Sequence, residues 1–205
     1  MKKLKLFILL LIVFALCNIS CSVYQTIVNI SRLKFKLANV SDYTVCGVNI
    51  ANKKSINDLS PMEAIKLTAS FVNKSMPSSF ILNISAVNPN DGKGGYPSTN
   101  ATIVAFPWRL VIDGKETITG DLAQPVAVPG TGQETVIPIR ITIDLYKLFS
   151  NKEYEGIINL AMNLSGNSNG NASKIVIYAK PKVATPLGNI SYPQEVKIVS
   201  LEYSK

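Results

Sequence analysis

The chain has 205 residues, 47% hydrophobic and 17% charged, with a formal net charge of +8 and no histidine. That length holds one ordinary domain plus a small appendage, and the apolar fraction excludes a disordered chain. Without histidine the commonest general base and the commonest transition-metal ligand are missing. With one usable thiol left after the N-terminal segment, no Cys/His zinc site forms.

The first segment, "MKKLKLFILLLIVFALCNISCS", opens with Lys2, Lys3 and Lys5 and runs into eleven apolar residues, Leu6 to Leu16. A bilayer-spanning helix takes about 20 residues, so this run fits the apolar core of a secretory signal instead. The end of the segment resembles a bacterial lipobox, in which small residues precede a cysteine that is lipidated. Asn18-Ile19-Ser20 before Cys21 fits better than Phe14-Ala15-Leu16 before Cys17, because the preceding residue has to be small. Residues 1–20 are therefore expected to form a lipoprotein signal peptide and 21–32 a short membrane-proximal tether, with Cys21 lipidated. A plain cleaved signal is the alternative. Ser22 after the cysteine, by resemblance to the enterobacterial sorting rule, implies the outer membrane, facing the periplasm. Loss of the three lysines leaves +5 on the mature chain. The remaining lysines are scattered, which suits a solvated surface near anionic headgroups and not a nucleic-acid footprint. The tether from Val23 to Arg32 reaches ~33 Å at most, so the domain at 33–205 is expected to lie close to the membrane.

Alternation of apolar and polar residues dominates the domain. Leu33, Phe35 and Leu37 oppose Lys34 and Lys36; Val40–Ile50 continues the pattern, with Cys46 in phase with Val48 and Ile50 and read as a small core residue. "SPMEAIKLTASFVN" breaks it. Ser60, Pro61 and Glu63 form a capping box with proline at the first helical position, and Ala64, Leu67, Thr68 and Phe71 share one face, which predicts a helix from Pro61 to Asn73. Phe80, Leu82, Ile84 and Ala86 then form a strand face opposite Asn83 and Ser85, ending at Asn88-Pro89-Asn90-Asp91-Gly92. Proline forces the preceding residue to be extended, and Asn, Asp and Gly tolerate left-handed turns.

Val104, Phe106, Trp108, Leu110 and Ile112 predict the next strand face. That phase points Trp108 to the core, with stacking on a sugar as the alternative. Asp113-Gly114 signals a type I′ hairpin into Lys115–Thr119. Ile137, Ile139, Ile141 and Ile143 oppose Arg140, Thr142 and Asp144. Pro107 and Pro138 fall inside strand patterns and are expected at an edge or a bulge. Asp144–Phe149 reads as a short helical turn, and Ile157, Leu160, Ala161 and Leu164 as a second helix, with a strand as the alternative. Ile175–Lys180 and Glu195–Tyr203 complete about eight short strands, an all-β antiparallel sandwich with two short helical insertions.

Reactive groups are sparse. The thirteen carboxylates are dispersed. Glu153 and Glu155, the closest pair, are read as solvated loop residues. "DGKGGY" lacks phosphate-loop spacing and reads as a plain turn. No cofactor, metal or nucleic acid is expected.

The Asn88-Pro89-Asn90 stop, the hairpin "LVIDGKETITG" ending at Gly120, and "VPGTGQETVIPIRITID" with Pro129, Gly130 and Pro138 resemble, in that order, the late embryogenesis abundant (LEA) type 2 family. This is the LEA14-like group with the WHy domain. "KPKVATPLGNISYPQEVKI" looks like the C-terminal end of its bacterial lipoprotein members. The resemblance implies an immunoglobulin/fibronectin-III-like sandwich without catalytic residues, and a role in desiccation or related stress. Its partners would be the membrane, through the lipid anchor, and client or envelope proteins. A carrier of lipid or another small hydrophobic ligand is one alternative function, and a structural subunit of an envelope complex is another.

Overall fold

The computed structural model describes residues 28, 32–93, 97–165, 175–185, 188–200 and 203–204. Cys17, Cys21, most of the 1–32 segment and part of "DGKGGY" lie outside them.

The first sheet forms around the most regular alternation in the chain. Strand β3 (Pro77–Val87) is central, with β1 (Lys34–Val45) on one side and β8 (Glu134–Asp144) on the other; β2 (Val48–Asn49) adds to the end of β1. All pairs are antiparallel, and β3 and β8 keep register without a slip from Pro77 against Asp144 to Val87 against Glu134. Phe80, Leu82 and Ile84 therefore stand beside Ile141, Ile139 and Ile137, and all six are buried. A one-residue slip would turn that whole set to solvent, which pins the register. Pro138 sits on β8, the outermost strand, where a missing N–H costs no ladder bond.

The second layer bends. Strand β4 (Ala101–Ala105) stops at Phe106-Pro107 and continues as β5 (Trp108–Ile112); β9 (Ile175–Ala179) stops at Lys180-Pro181 and continues as β10 (Lys182–Thr185). The upper half orders β11 (Gly188–Ser191), β10, β4 and β7 (Val126–Val128). The lower half orders β12 (Val196–Ile198), β9, β5 and β6 (Lys115–Gly120). The Lys180 N–H donates to the Pro107 carbonyl at 2.8 Å and stitches the two corners together. The predicted single strand through Pro107 is thus two strands. The phase changes at the corner as well: Ile103, not Val104, points inward with Phe106, Trp108, Leu110 and Ile112.

The apolar faces of the two layers close on one core, and Phe35 of β1 meets Phe106 at the corner with ring centroids 5.4 Å apart. The C-terminal segment crosses back to the first sheet. Leu37 N–H donates to the Val199 carbonyl, Ser204 N–H donates to the Phe35 carbonyl, and the Ser204 hydroxyl accepts from Phe35 N–H. This covers the part of the β1 edge that β2 leaves open, so fewer ladder groups stand unpaired. Asp113 and Gly114 adopt φ of 49° and 80°, the left-handed pair of the predicted hairpin.

Three helices gather at one end. Helix α1 (Pro61–Val72) starts at the predicted box, where Ser60 Oγ accepts from Glu63 N–H and Glu63 accepts from Ser60 N–H. Leu67 is buried, Ala64 and Phe71 are half-buried, and Thr68 is exposed. Helix α2 (Leu145–Leu148) is capped by Asp144, whose carboxylate also takes Met76 N–H and the Ser75 hydroxyl and so ties the start of β3 to the end of β8. Helix α3 (Tyr154–Leu164) buries Ile157, Ile158, Leu160, Ala161, Met162 and Leu164. It is apolar around most of its circumference, as a helix enclosed by neighbours must be. Phe71 joins the three, with its ring 5.3 Å from Tyr146 and 5.6 Å from Tyr154. Glu153 and Glu155, read from sequence as loop residues, are the N-cap residue and a first-turn residue of α3, where negative charge suits the helix dipole.

Glu63 makes this end acid-sensitive. Its hydrogen bond from Lys53, 2.9 Å away, and the Ser60 N–H hold its pKa at about 2 against an ordinary 4.5. A depressed pKa adds stability above the unfolded value, and that increment is lost as pH falls toward the folded one. Glu63→Gln should therefore lower the urea midpoint at about pH 6, and the gap to the unsubstituted chain should close by about pH 2.

Candidate functional site

Of the residues that the family resemblance singles out, Asn88, Pro89, Asn90 and Gly130 meet at the end of the sandwich opposite the helices. Asn88 leaves β3 fully buried. Its amide nitrogen donates to the Thr99 carbonyl at 2.8 Å and to the Val128 carbonyl at 3.0 Å, linking the first sheet to the segment that leads into β4 and to the end of β7. Its side-chain oxygen accepts from the backbone and the side chain of Asn90, at 3.1 and 2.9 Å. Its own carbonyl accepts from Gly132 N–H. Asn90, 2% exposed, accepts from the Arg32 guanidinium at 2.8 Å, and its carbonyl takes Thr99 N–H. Pro89 holds the two asparagines in the extended spacing that lets one side chain bond the next.

Gly130 completes this clasp. A Cβ there would stand 2.5 Å from the Asn90 carbonyl oxygen and 2.6 Å from that of Thr99. Both are backbone atoms and have nowhere to go. The Gly130 N–H and carbonyl are bonded to the side chains of Asn100 and Ser98. Gly130→Ala should cost about 1–3 kcal/mol by overpacking, read as a lower urea midpoint followed by circular dichroism.

The other residues of the motif set do not join this cluster. Gly120 lies under the ring of Trp108, where a Cβ would come within 2.5 Å of Cζ2, so Trp108 is 7% exposed and packs in the core rather than offering a stacking face. Pro138 is on the β8 edge. Cys46, expected in a strand core, is instead the first residue of a two-residue hairpin with Gly47, at φ of 50° and 73°, and is half-buried. Burial pushes its thiol pKa up, and a hydrogen bond with Ser70 only partly opposes that, so the thiolate is disfavoured.

A second polar cluster covers the outer face of the lower half-sheet. Arg109 takes Glu195 on two nitrogens and Glu116 on a third, and its guanidinium lies 4.0 Å from the Tyr178 ring centroid. With Val111, Val176 and Lys197 these line an open groove of about 370 Å³. The Glu195 carboxyl is held below its ordinary pKa by Arg109, and the Arg109 guanidinium is raised by Glu195 in return.

The remaining displaced carboxylates follow one pattern. Glu134 is lowered by Ser85 and then Tyr203, which hydrogen-bond it, and Asp58 by the N–H groups of Lys54 and Ser55. Burial pushes Asp144 up, but Met76, Lys147 and Ser75 outweigh it and hold it below the usual range. Each is kept ionised by groups that build a cap, a turn or a strand contact. Among the described residues no three His, Cys, Asp or Glu side chains converge as metal ligands, and no helix is long and apolar enough to cross a membrane.

No protein-family model matches this chain, and no curated protein matches it. Solved structures similar to it include a candidate LEA protein, At2g46140.1, at 14% identity and a TM-score of 0.36, covering 85% of this chain and 76% of that one. A protein from Archaeoglobus fulgidus is 13% identical with a TM-score of 0.33, over 59% of this chain and 83% of its own. One from Arabidopsis thaliana is 15% identical with a TM-score of 0.29, over 64% and 76%. At this level of likeness none of them carries a functional role over to this chain.

Proposed function

We propose that the chain is a non-enzymatic, lipid-anchored module of the cell envelope, of LEA type 2 kind, which shields neighbouring proteins or membrane surfaces when water is withdrawn. The observation that supports this reading is the direction of the carboxylate pKa values. A general acid working near neutrality needs its pKa raised toward the working pH. Here Glu63, Asp58, Glu134, Asp144 and Glu195 are all lowered, each by contacts that hold the scaffold. In this reading the Asn88–Asn90 clasp and Gly130 keep the sandwich closed, and its surface does the work. Cys21 supplies the attachment.

The test is survival of a labile enzyme through drying and rehydration, with the full chain against an equal mass of albumin. Recovery should be clearly higher with the chain. Recovery no better than with albumin would exclude the protective role.

A further inference from the structure

Helix α1 is apolar on two opposite sides, and the core uses only one. At 3.6 residues per turn, Leu67 and Phe71 face inward, while Met62, Ile65, Ala69 and Val72 fall on a single stripe facing away. Met62, Ile65 and Val72 are 74%, 64% and 70% exposed. With Val136 on the β8 edge they are the large hydrophobic side chains left exposed among the described residues. Lysines border the stripe. Lys66 is one turn from Met62, with its ammonium over the Cys46-Gly47 hairpin, 3.2 Å from where a Gly47 Cβ would stand; Lys74 follows the helix end at φ 56°, and Lys54 precedes its start; all three are exposed. None of the three forms an ion pair within 4.0 Å among the described residues, although Lys54 lies near enough to Asp58 to help hold that carboxyl down, whereas Lys53 is taken by Glu63. Glu63, the one carboxylate of α1, lies on the inner side, one turn before Leu67.

We infer that the outer stripe of α1 docks in the headgroup layer of an anionic bilayer. Aliphatic side chains on one face with lysines along its border are the composition of a helix that lies in the membrane plane. The charge pattern selects this occupant. A second copy of the chain would bring Lys66 and Lys74 against their own counterparts, and like charges penalise that contact. The stripe also has no Trp, Tyr or Arg, the residues that anchor protein interfaces. Each lysine near an anionic surface strengthens docking about fivefold, so Lys66 and Lys74 together contribute ~25-fold. The inference uses the membrane-attached reading only to supply a bilayer.

The full chain carrying Cys21→Ser, which cannot be acylated at that residue, and Ile65→Trp tests it. Its fluorescence is compared with that of the Cys21→Ser chain alone, which reports Trp108. Vesicles are made from brominated phosphatidylcholine, with or without phosphatidylglycerol. The added indole should shift to the blue and be quenched with phosphatidylglycerol present, and stay unquenched without it. Lys66→Gln with Lys74→Gln should lower the docked-to-free ratio ~25-fold. Met62→Trp in place of Ile65→Trp should behave the same way. An unquenched indole, equal quenching in both vesicle types, or a blue shift that grows with protein concentration without vesicles would each overturn the inference. Because the test chain lacks the acylated cysteine, failure here leaves the lipid anchor untouched, and loss of the anchor would leave this docking intact.

Discussion

Replacing Asn88 with aspartate should destabilise the protein by about 3–5 kcal/mol at neutral pH, the usual cost of an uncompensated buried charge. The side chain is fully buried, and its amide nitrogen faces two carbonyl oxygens, those of Thr99 and Val128. An ionised carboxylate would point an oxygen at both. Protonated, it would donate to one and leave the other orphaned, at about 1–3 kcal/mol. The substituted carboxyl therefore has a folded pKa above its unfolded value. Its protonated form fits better, so the stability present below the unfolded pKa is lost as pH rises through the folded one. The deficit relative to the unsubstituted chain should be smaller at about pH 4, close to the ordinary aspartate pKa, than at about pH 7. Asn88→Ala should show a deficit that does not change with pH. Urea unfolding at the two pH values, followed by Trp108 emission, separates them. An Asn88→Asp chain as stable as the parent at neutral pH would show that the clasp does not hold the two layers.

Phe35→Ala should cost about 3–5 kcal/mol, in the range for a buried phenylalanine. At roughly 2–4 °C per kcal/mol for a chain of this size, the melting temperature should fall by about 10 °C. Phe35 has no exposed surface, and its ring touches both Phe106, at the corner of the bent layer, and Tyr192, at centroid distances of 5.4 and 6.5 Å. Its backbone also carries the C-terminal segment, through Ser204. One residue thus joins the first sheet and the corner through its ring and the C-terminal crossing through its backbone. Phe35→Leu, which refills part of the cavity, should recover part of the loss. A fall of only about 1–2 °C for the alanine variant, measured by calorimetry, would place the contact between layers elsewhere.

Several elements are legible in the sequence because one local rule dictates each of them. The Phe80–Ala86 and Ile137–Ile143 alternations determine which side chains enter the core, and Ser60-Pro61 with Glu63 marks the start of α1 to the residue. Asp113-Gly114 marks its hairpin. The corner at Phe106-Pro107 is hidden because apolar residues continue on both sides of it, so the change from Val104 to Ile103 as the inward residue leaves no mark in the pattern. Cys46-Gly47 reads as strand because cysteine is an uncommon turn residue and Val45 and Val48 suit either arrangement.

The clasp is legible only in part. Asn88-Pro89-Asn90 shows that the strand has to stop. It does not show what the asparagines bond: Asn88 donates to the carbonyls of Thr99 and Val128, which carry no residue identity, and Asn90 accepts from Arg32, far off in the sequence. The need for Gly130 arises from backbone approaching backbone, which one chain segment cannot reveal. The outer stripe of α1 is present in the sequence too, but the capping box and the Leu67 face account for the helix so fully that nothing calls for a second apolar side.

Lipid attachment at Cys21 is the part of the proposal on which the rest depends. Labelled palmitate supplied to cells making the unsubstituted chain, Cys17→Ser or Cys21→Ser, followed by membrane fractionation, tests it directly. Label and membrane association should persist in the first two and disappear in Cys21→Ser. Label retained at full level in Cys21→Ser, with the protein still in the membrane fraction, would contradict the account.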